Sequence, residues 1–297
     1  MPLIYKHQTN DSINLEEFVQ IAKAHNVSNT EELCELSLAF TKLANNRIFL
    51  SNYFESFIKN NISLDVLNSV ISQSLVLART KDFYIRANFW LPREQMTESE
   101  VLLFAYDQPH DHNFDLLSVS YCGDGYITEG WIYDYEKVYG YIGELVDAIP
   151  LGKHKNVNGE VILYECNKDI HCQRPPETLS ITINLIPLEN QHGLKDQYFF
   201  DIDKVNSTQI IVSKFANTNI QNRINLFSLA QHMVTPEISQ IMSDISLKHA
   251  CRRTREQALK ILEKSNPEEH LRLCQVLVND KSSLVKKYCR SIISDTL

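Results

Sequence analysis

The sequence predicts an α+β protein: a β unit of sandwich or jelly-roll type held between an N-terminal and a C-terminal helical segment. Three observations predict it. All eight glycines lie between Gly123 and Gly193, and glycine gathers where turns need positive φ. On both sides of the middle, apolar residues recur at three- and four-residue spacing. From Phe83 to Ser213 the period shortens to that of strands, with no helical stretch between them. The expected division is 1–79, 80–215 and 216–297.

In the first segment, Asn14-Leu-Glu-Glu17 and Ser28-Asn-Thr-Glu31 have capping-box spacing. Leu33, Leu36, Phe40 and Leu43 follow the second, and Ser63 to Ala78 repeats the habit with Leu64, Leu67, Ile71 and Leu75. Residues 12–79 read as three or four helices. The strand candidates are Phe83–Leu91, Val101–Tyr106, Leu116–Tyr121, Tyr126–Tyr133, Glu160–Cys166, Leu179–Pro187, Gln197–Asp201 and Gln209–Ser213. The Asp-Gly step in Cys122-Gly-Asp-Gly125 suggests a tight hairpin. Past Asn217, Glu237–His249, Thr254–Lys264, Pro267–Val278 and Ser282–Ser294 read as helices, with Pro267 suited to a first turn. The stretches 255–262 and 285–292 match loosely, which fits either a short HEAT-like stack or a plain helical cap.

Composition narrows the class. The chain has 297 residues, 43% hydrophobic and 22% charged, an ordinary globular balance that can bury a sizeable core. A net charge of −8 argues against nucleic-acid binding, which needs a concentrated positive face. No apolar run approaches the roughly 20 residues that cross a bilayer, and Met1 to Asn10 lacks the apolar stretch of a secretory signal. The seven cysteines include no CxxC pair. Free thiols in a reducing cytosol fit them better than disulfides or a cysteine zinc site. The expectation is a soluble, cytoplasmic protein with no nucleic-acid or membrane partner.

The histidines are scattered except for one pair, in Gln108-Pro-His-Asp-His112. At the mouth of a strand, residues i and i+2 face the same way, so His110 and His112 would aim two imidazoles at one metal ion. The competing reading is a pair of surface or hydrogen-bonded histidines. His171, in Lys168-Asp-Ile-His-Cys172, immediately precedes the β-branched stretch Leu179-Ser-Ile-Thr-Ile-Asn-Leu185. Alone it would read as a turn histidine; with the pair upstream it becomes a third ligand. Three neutral imidazoles leave positions open on a six-coordinate ion, and iron(II) oxygen chemistry uses such positions for substrate and dioxygen.

Here the chain resembles the cupin superfamily, in His110-Asp-His112 ahead of a hydrophobic strand and a later lone histidine. More narrowly, it is similar to the cysteine dioxygenase branch, whose iron site has three histidines. Tyr84-Ile-Arg86 adds to the likeness, because that branch carries a Tyr-x-Arg about as far before its His-x-His. The resemblance covers roughly residues 83–187. It implies a cupin-type β-barrel, Fe(2+) held by His110, His112 and His171, and Arg86 as the anchor for a substrate carboxylate. Read without the resemblance, Arg86 serves equally as a surface arginine on an edge strand.

The chain also departs from the family. Where cupins usually place a glutamate, it has Leu116 and Leu117, and Asp115 comes one residue too early. The same leucines leave no cysteine for a thioether crosslink. Ser180-Ile-Thr-Ile-Asn184 lacks the histidine and tyrosine of the family's Ser-x-His-x-Tyr relay. A 2-oxoglutarate type of site is less favoured, because neither His112 nor Phe114 supplies the needed carboxylate.

Tyrosines and Trp131 between Tyr126 and Tyr141 read as packing before substrate wall. Cys172 reads as a buried thiol facing away from His171, Cys122 as a hairpin residue, and His154 as solvated loop. Lys248 to Arg255 reads as exposed helix-end charge. The resulting expectation is a mononuclear non-heme iron(II) oxygenase using dioxygen. Its substrate would be a small amino-acid-like or thiol molecule, or a peptide recognised by the helical flanks. The opposing class is a non-catalytic cupin-fold binding module with helical interaction surfaces, since fold does not fix function.

Overall fold

The computed structural model describes residues 2–60, 70–71, 73–188, 194–202, 208–216, 218–233 and 235–296. The chain forms two compact units. One comprises Met1–Tyr133 with Ile149–Glu189, the other Asp134–Ala148 with Asn190–Leu297. The expected α+β class is the observed one, with antiparallel strands in two sheets and helical stretches before and after them. Among the described residues the strands do not close into a barrel. No helix among these residues is long and apolar enough to cross a membrane.

The first unit opens with β1 (Leu3–Tyr5) and four helices: α1 (Leu15–Lys23), α2 (Thr30–Glu35), α3 (Ser37–Asn45) and α4 (Phe49–Asn60). Then come β2 (Val70–Ile71), β3 (Ser74–Arg79), β4 (Phe83–Trp90), α5 (Glu98–Leu103), β5 (Leu116–Cys122) and β6 (Ile127–Tyr133). The end of β7 (Leu145–Lys155), β8 (Val161–Tyr164), β9 (Asp169–Arg174) and β10 (Ser180–Pro187) complete it. Seven strands make one sheet in the order β1-β8-β5-β10-β4-β3-β2, while β9 pairs with β6.

Alternation divides the seven-stranded sheet into two chemistries. The register sets Ala87, Ile183, Val119 and Val161 in one row, and Arg86, Asn184, Ser118 and Ile162 in the next. Because successive side chains point to opposite faces, one face is wholly apolar at its centre. It packs against the helices, where Phe18, Leu33, Leu36, Phe40 and Leu43 complete a single core with Phe83, Ile85 and Leu185. The Phe18 and Phe40 rings stack with centroids 4.7 Å apart. The opposite face carries Asn88, Thr182, Asn184, Ser118 and Ser120, and these polar residues are buried too.

The second unit holds the start of β7, β11 (Tyr198–Ile202), β12 (Gln209–Phe215), and α6 (Thr218–Ala230) to α10 (Ser283–Thr296), with α7 (Pro236–Lys248), α8 (Arg252–Ser265) and α9 (Pro267–Leu277) between. Leu259, Leu262, Leu273, Cys274, Val285 and Cys289 form the core of its helices. The buried Asp196 carboxylate accepts from Arg253 Nε at 2.6 Å and from the Tyr198 hydroxyl at 2.7 Å. The Arg252 guanidinium lies 3.9 Å over the Tyr135 ring and donates to the Val138 carbonyl at 2.7 Å. Lys248 to Arg255 is therefore not simply exposed helix-end charge, since Arg252 and Arg255 are buried and Arg253 is half-buried; Arg255 bonds Asp280.

Several expected elements differ, each for a physical reason. Of Ser63 to Ala78, residues 63–69 and 72 lie outside the described residues, and Ser74–Ala78 is strand rather than helix. Leu75 and Leu77 alternate inward there, and β4 supplies the hydrogen-bonding partner that helical spacing ignores. Val101–Tyr106 is not a strand: Thr97 and Glu100 close a capping box that starts α5. The cap of α2 is Asn29, not Ser28. Gly123 and Gly125 do take positive φ, but the turn is no hairpin. It leads from β5, paired with β8 and β10, to β6, paired with β9. His154 sits on β7, bonded to the buried Glu160 carboxylate.

Candidate metal centre

The site begins with the loop that follows α5. Ala105 and Asp107 take positive φ, 51° and 59°, an unusual conformation for residues other than glycine. The turn brings the chain back along β9, where Asp107 N donates to Gln173 O at 3.0 Å. His110 and His171 then exchange both backbone hydrogen bonds, at 3.0 and 2.9 Å. A pair that exchanges both bonds stands directly opposite across the ladder. Pro109, which has no N–H to leave unpaired, is the residue just before this bridge. His171 therefore lies inside a strand rather than ahead of one.

The bridge sets the imidazoles together. His110 Nε2 and His171 Nε2 are 3.2 Å apart, and the three rings have centroid separations of 4.6 to 5.2 Å. One ring nitrogen from each of His110, His112 and His171 lies within 4.8 Å of the other two, and all three residues are buried. His110 Nδ1 donates to the Gln108 carbonyl at 2.8 Å; a carbonyl only accepts, so in the neutral ring the proton sits on Nδ1 and Nε2 carries the lone pair. Burial pushes His112 and His171 well below the usual histidine range, and the neighbouring imidazoles push the same way. Arg86 adds to the effect on His112. His112 and His171 thus present uncharged lone pairs.

A divalent ion fits this donor set. Two imidazole nitrogens at right angles on an ion about 2.1 Å away would sit roughly 3.0 Å apart. The observed 3.2 Å separation is close to that. Asp115 takes no part, as its early position implied: it accepts from Thr30 Oγ1 and Cys166 N, both at 2.7 Å. Asp111, between the two histidines, points the other way and accepts from the Tyr133 hydroxyl at 2.6 Å. Among the described residues no other group of three or more such side chains could hold a metal.

A cavity of about 100 Å³ opens beside His110 and His112, lined also by Arg86, Asn88, Asn184 and Gln173. That is several times the roughly 10–15 Å³ a single water needs. The edge-strand reading of Arg86 does not hold, because β4 runs between β10 and β3. Arg86 Nε, Asn88 Oδ1 and Gln173 Oε1 are buried with no hydrogen-bond partner in the protein. Aromatic rings close the walls. Tyr126 packs 4.6 Å from Trp90, and Tyr164 meets the His171 ring edge-on at 4.3 Å. Sequence reasoning missed Asn88, Asn184 and Gln173. The signal was present in Arg86-x-Asn88 and His171-x-Gln173, since residues two apart in a strand share a face.

No family model and no curated protein matches the chain. Solved structures similar to it in part include a hydroquinone 1,2-dioxygenase in complex with Cd2+ and 4-hydroxybenzonitrile. It is 13% identical over 42% of this chain and 69% of that one, with a TM-score of 0.27. A second is an RmlC-like cupin from Methanocaldococcus jannaschii with a double-stranded β-helix fold, 17% identical over 39% and 83%, TM-score 0.22. A third is the hydroquinone 1,2-dioxygenase of Sphingomonas sp. TTNP3, 10% identical over 44% and 74%, TM-score 0.22. At such scores the chemistry has to be read from the residues themselves.

Proposed function

We propose that this protein is a mononuclear non-heme iron(II) oxygenase of cupin type, with His110, His112 and His171 as the metal ligands. The observation that carries this reading is the convergence of three buried imidazoles from segments 61 residues apart, with no carboxylate among them. When bound, iron(II) would supply the redox chemistry toward dioxygen, with positions left open by only three protein ligands. The chain's own residues bind and orient the substrate. Arg86 pairs with its acidic group, while Asn88 Oδ1 and Gln173 Oε1 accept from its N–H or O–H groups. Unpaired buried donors and acceptors are costly, so a ligand that satisfies both kinds is strongly preferred over one that satisfies neither. A small amino-acid-like or thiol compound fits the cavity better than a peptide. The family's thiol-dioxygenase branch is one source of such substrates. The seven cysteines, none of them in a disulfide, support a reducing, cytoplasmic setting.

The test is iron content of protein purified without oxygen, followed by dioxygen uptake with a panel of small amino acids and thiols. We expect close to one iron per chain, uptake with at least one small zwitterion, and loss of most of the metal in His171→Ala. Full metal and activity in that variant would refute the ligand assignment. A chain that takes up ligands but neither iron nor dioxygen would be a binding module instead.

A further inference from the structure

A neutral three-imidazole set leaves the double charge of any divalent ion uncompensated by its ligands. A carboxylate nevertheless lies one residue from each of His110 and His112. Asp111 is completely buried, and its Oδ2 accepts from the Tyr133 hydroxyl at 2.6 Å and from Asn167 Nδ2 at 3.1 Å. Asn167 is bound twice over. Its backbone N–H donates to the His112 carbonyl at 2.7 Å, and it holds φ of 52° to do so. It stands two residues before the strand that carries His171, and Tyr133 ends the strand paired with β9. The Asp111–Asn167–Tyr133 group therefore ties the His110-Asp-His112 segment to the strand bearing the third imidazole.

Resting on the metal reading of the site, though not on oxygen chemistry, we infer that Asp111 is a positioning residue. Through Asn167 and Tyr133 it fixes the spacing of the three imidazoles. Sequence position alone makes Asp111 a spacer between ligands. The burial and the two side-chain donors give it this role.

The test uses Co2+ as the probe with the full chain, reading affinity by titration and coordination by visible absorption. Asp111→Asn keeps the side chain's shape and removes its charge; Tyr133→Phe keeps the charge and removes one donor. We expect Asp111→Asn to weaken Co2+ binding by about 10- to 100-fold with an altered absorption spectrum. Tyr133→Phe should weaken it less, with its own spectral change. Helical and strand content by circular dichroism should stay as in the natural chain. Affinity within twofold and an unchanged spectrum in both variants would overturn the inference, while leaving the metal site standing. If Asp111→Asn fails to fold, Tyr133→Phe decides alone by the same two readouts. Failure of the natural chain to bind Co2+ would overturn the metal reading and the positioning role with it.

Discussion

The two faces of the seven-stranded sheet are both buried, yet they are built from opposite chemistry. On one, Ile85, Ala87, Ile183, Leu185, Leu117 and Val119 join the N-terminal helices in a single apolar core. On the other, Arg86, Asn88, Thr182, Asn184 and Ser118 face the cavity side and the histidines. The same three strands thus serve folding with one set of side chains and ligand binding with the next. Burying apolar surface is favourable wherever it occurs. Burying polar surface is tolerated only where hydrogen bonds or a ligand compensate for lost water. A buried polar sheet face with unpaired atoms is therefore a better pointer to a site than any single residue on it.

The largest expected effect comes from breaking the apolar face. Leu185→Ala should lower the unfolding free energy by about 2–5 kcal/mol. Its neighbour Asn184→Ala should lower it by roughly 1 kcal/mol and weaken small-molecule binding instead. Chemical denaturation of both variants checks the contrast; equal losses would show that the faces do not divide labour. Acidification probes the other side. His112 and His171 lie well below the usual histidine range when folded, so the unfolded chain takes up their protons more readily. Stability of the metal-free protein should hold above pH 6.5 and fall below it, by up to about 1.4 kcal/mol per pH unit for each histidine. Melting curves from pH 7.5 to 5.5 measure this, and Leu185→Ala should lower the whole profile without changing its slope.

Within the polar face, Trp90 Nε1 donates to Thr182 Oγ1 at 3.0 Å. Thr182→Val keeps the volume and strands that donor, so it should cost about 1–2 kcal/mol. A neutral result by denaturation would mean the indole finds another acceptor. The smallest effect belongs to Ala105, which lines the cavity at a φ of 51°. Ala105→Gly relieves a left-handed alanine but adds unfolded-chain freedom. The net change should stay within about 1 kcal/mol, and a larger loss would show that the alanine methyl matters to packing.

Much of this was legible in the sequence. The helices from Glu237 onward, the strands near Phe83, Leu116, Leu179 and Gln209, and the capping box at Asn14 follow from periodicity and cap chemistry, and the structure holds them all. The His110-Asp-His112 pair was visible because its geometry is local: two residues apart, one face. The burial of the Arg86 Nε, the acceptors Asn88 and Gln173, and the anchoring role of Arg252 were not. Each depends on which elements cover the residue.

What the sequence determined by itself was which side chains share a face, because alternation is a property of one strand. It could not decide which strands lie side by side. A strand satisfies its backbone N–H and C=O groups with partners that spacing does not name. Ser74–Arg79 became a strand because β4 was there to pair with it. His171 became a neighbour of His110 because the loop after α5 turns back along β9 and bonds to it at both ends of one residue pair. The donor set was written locally, and only tertiary pairing turned three separate histidines into one centre.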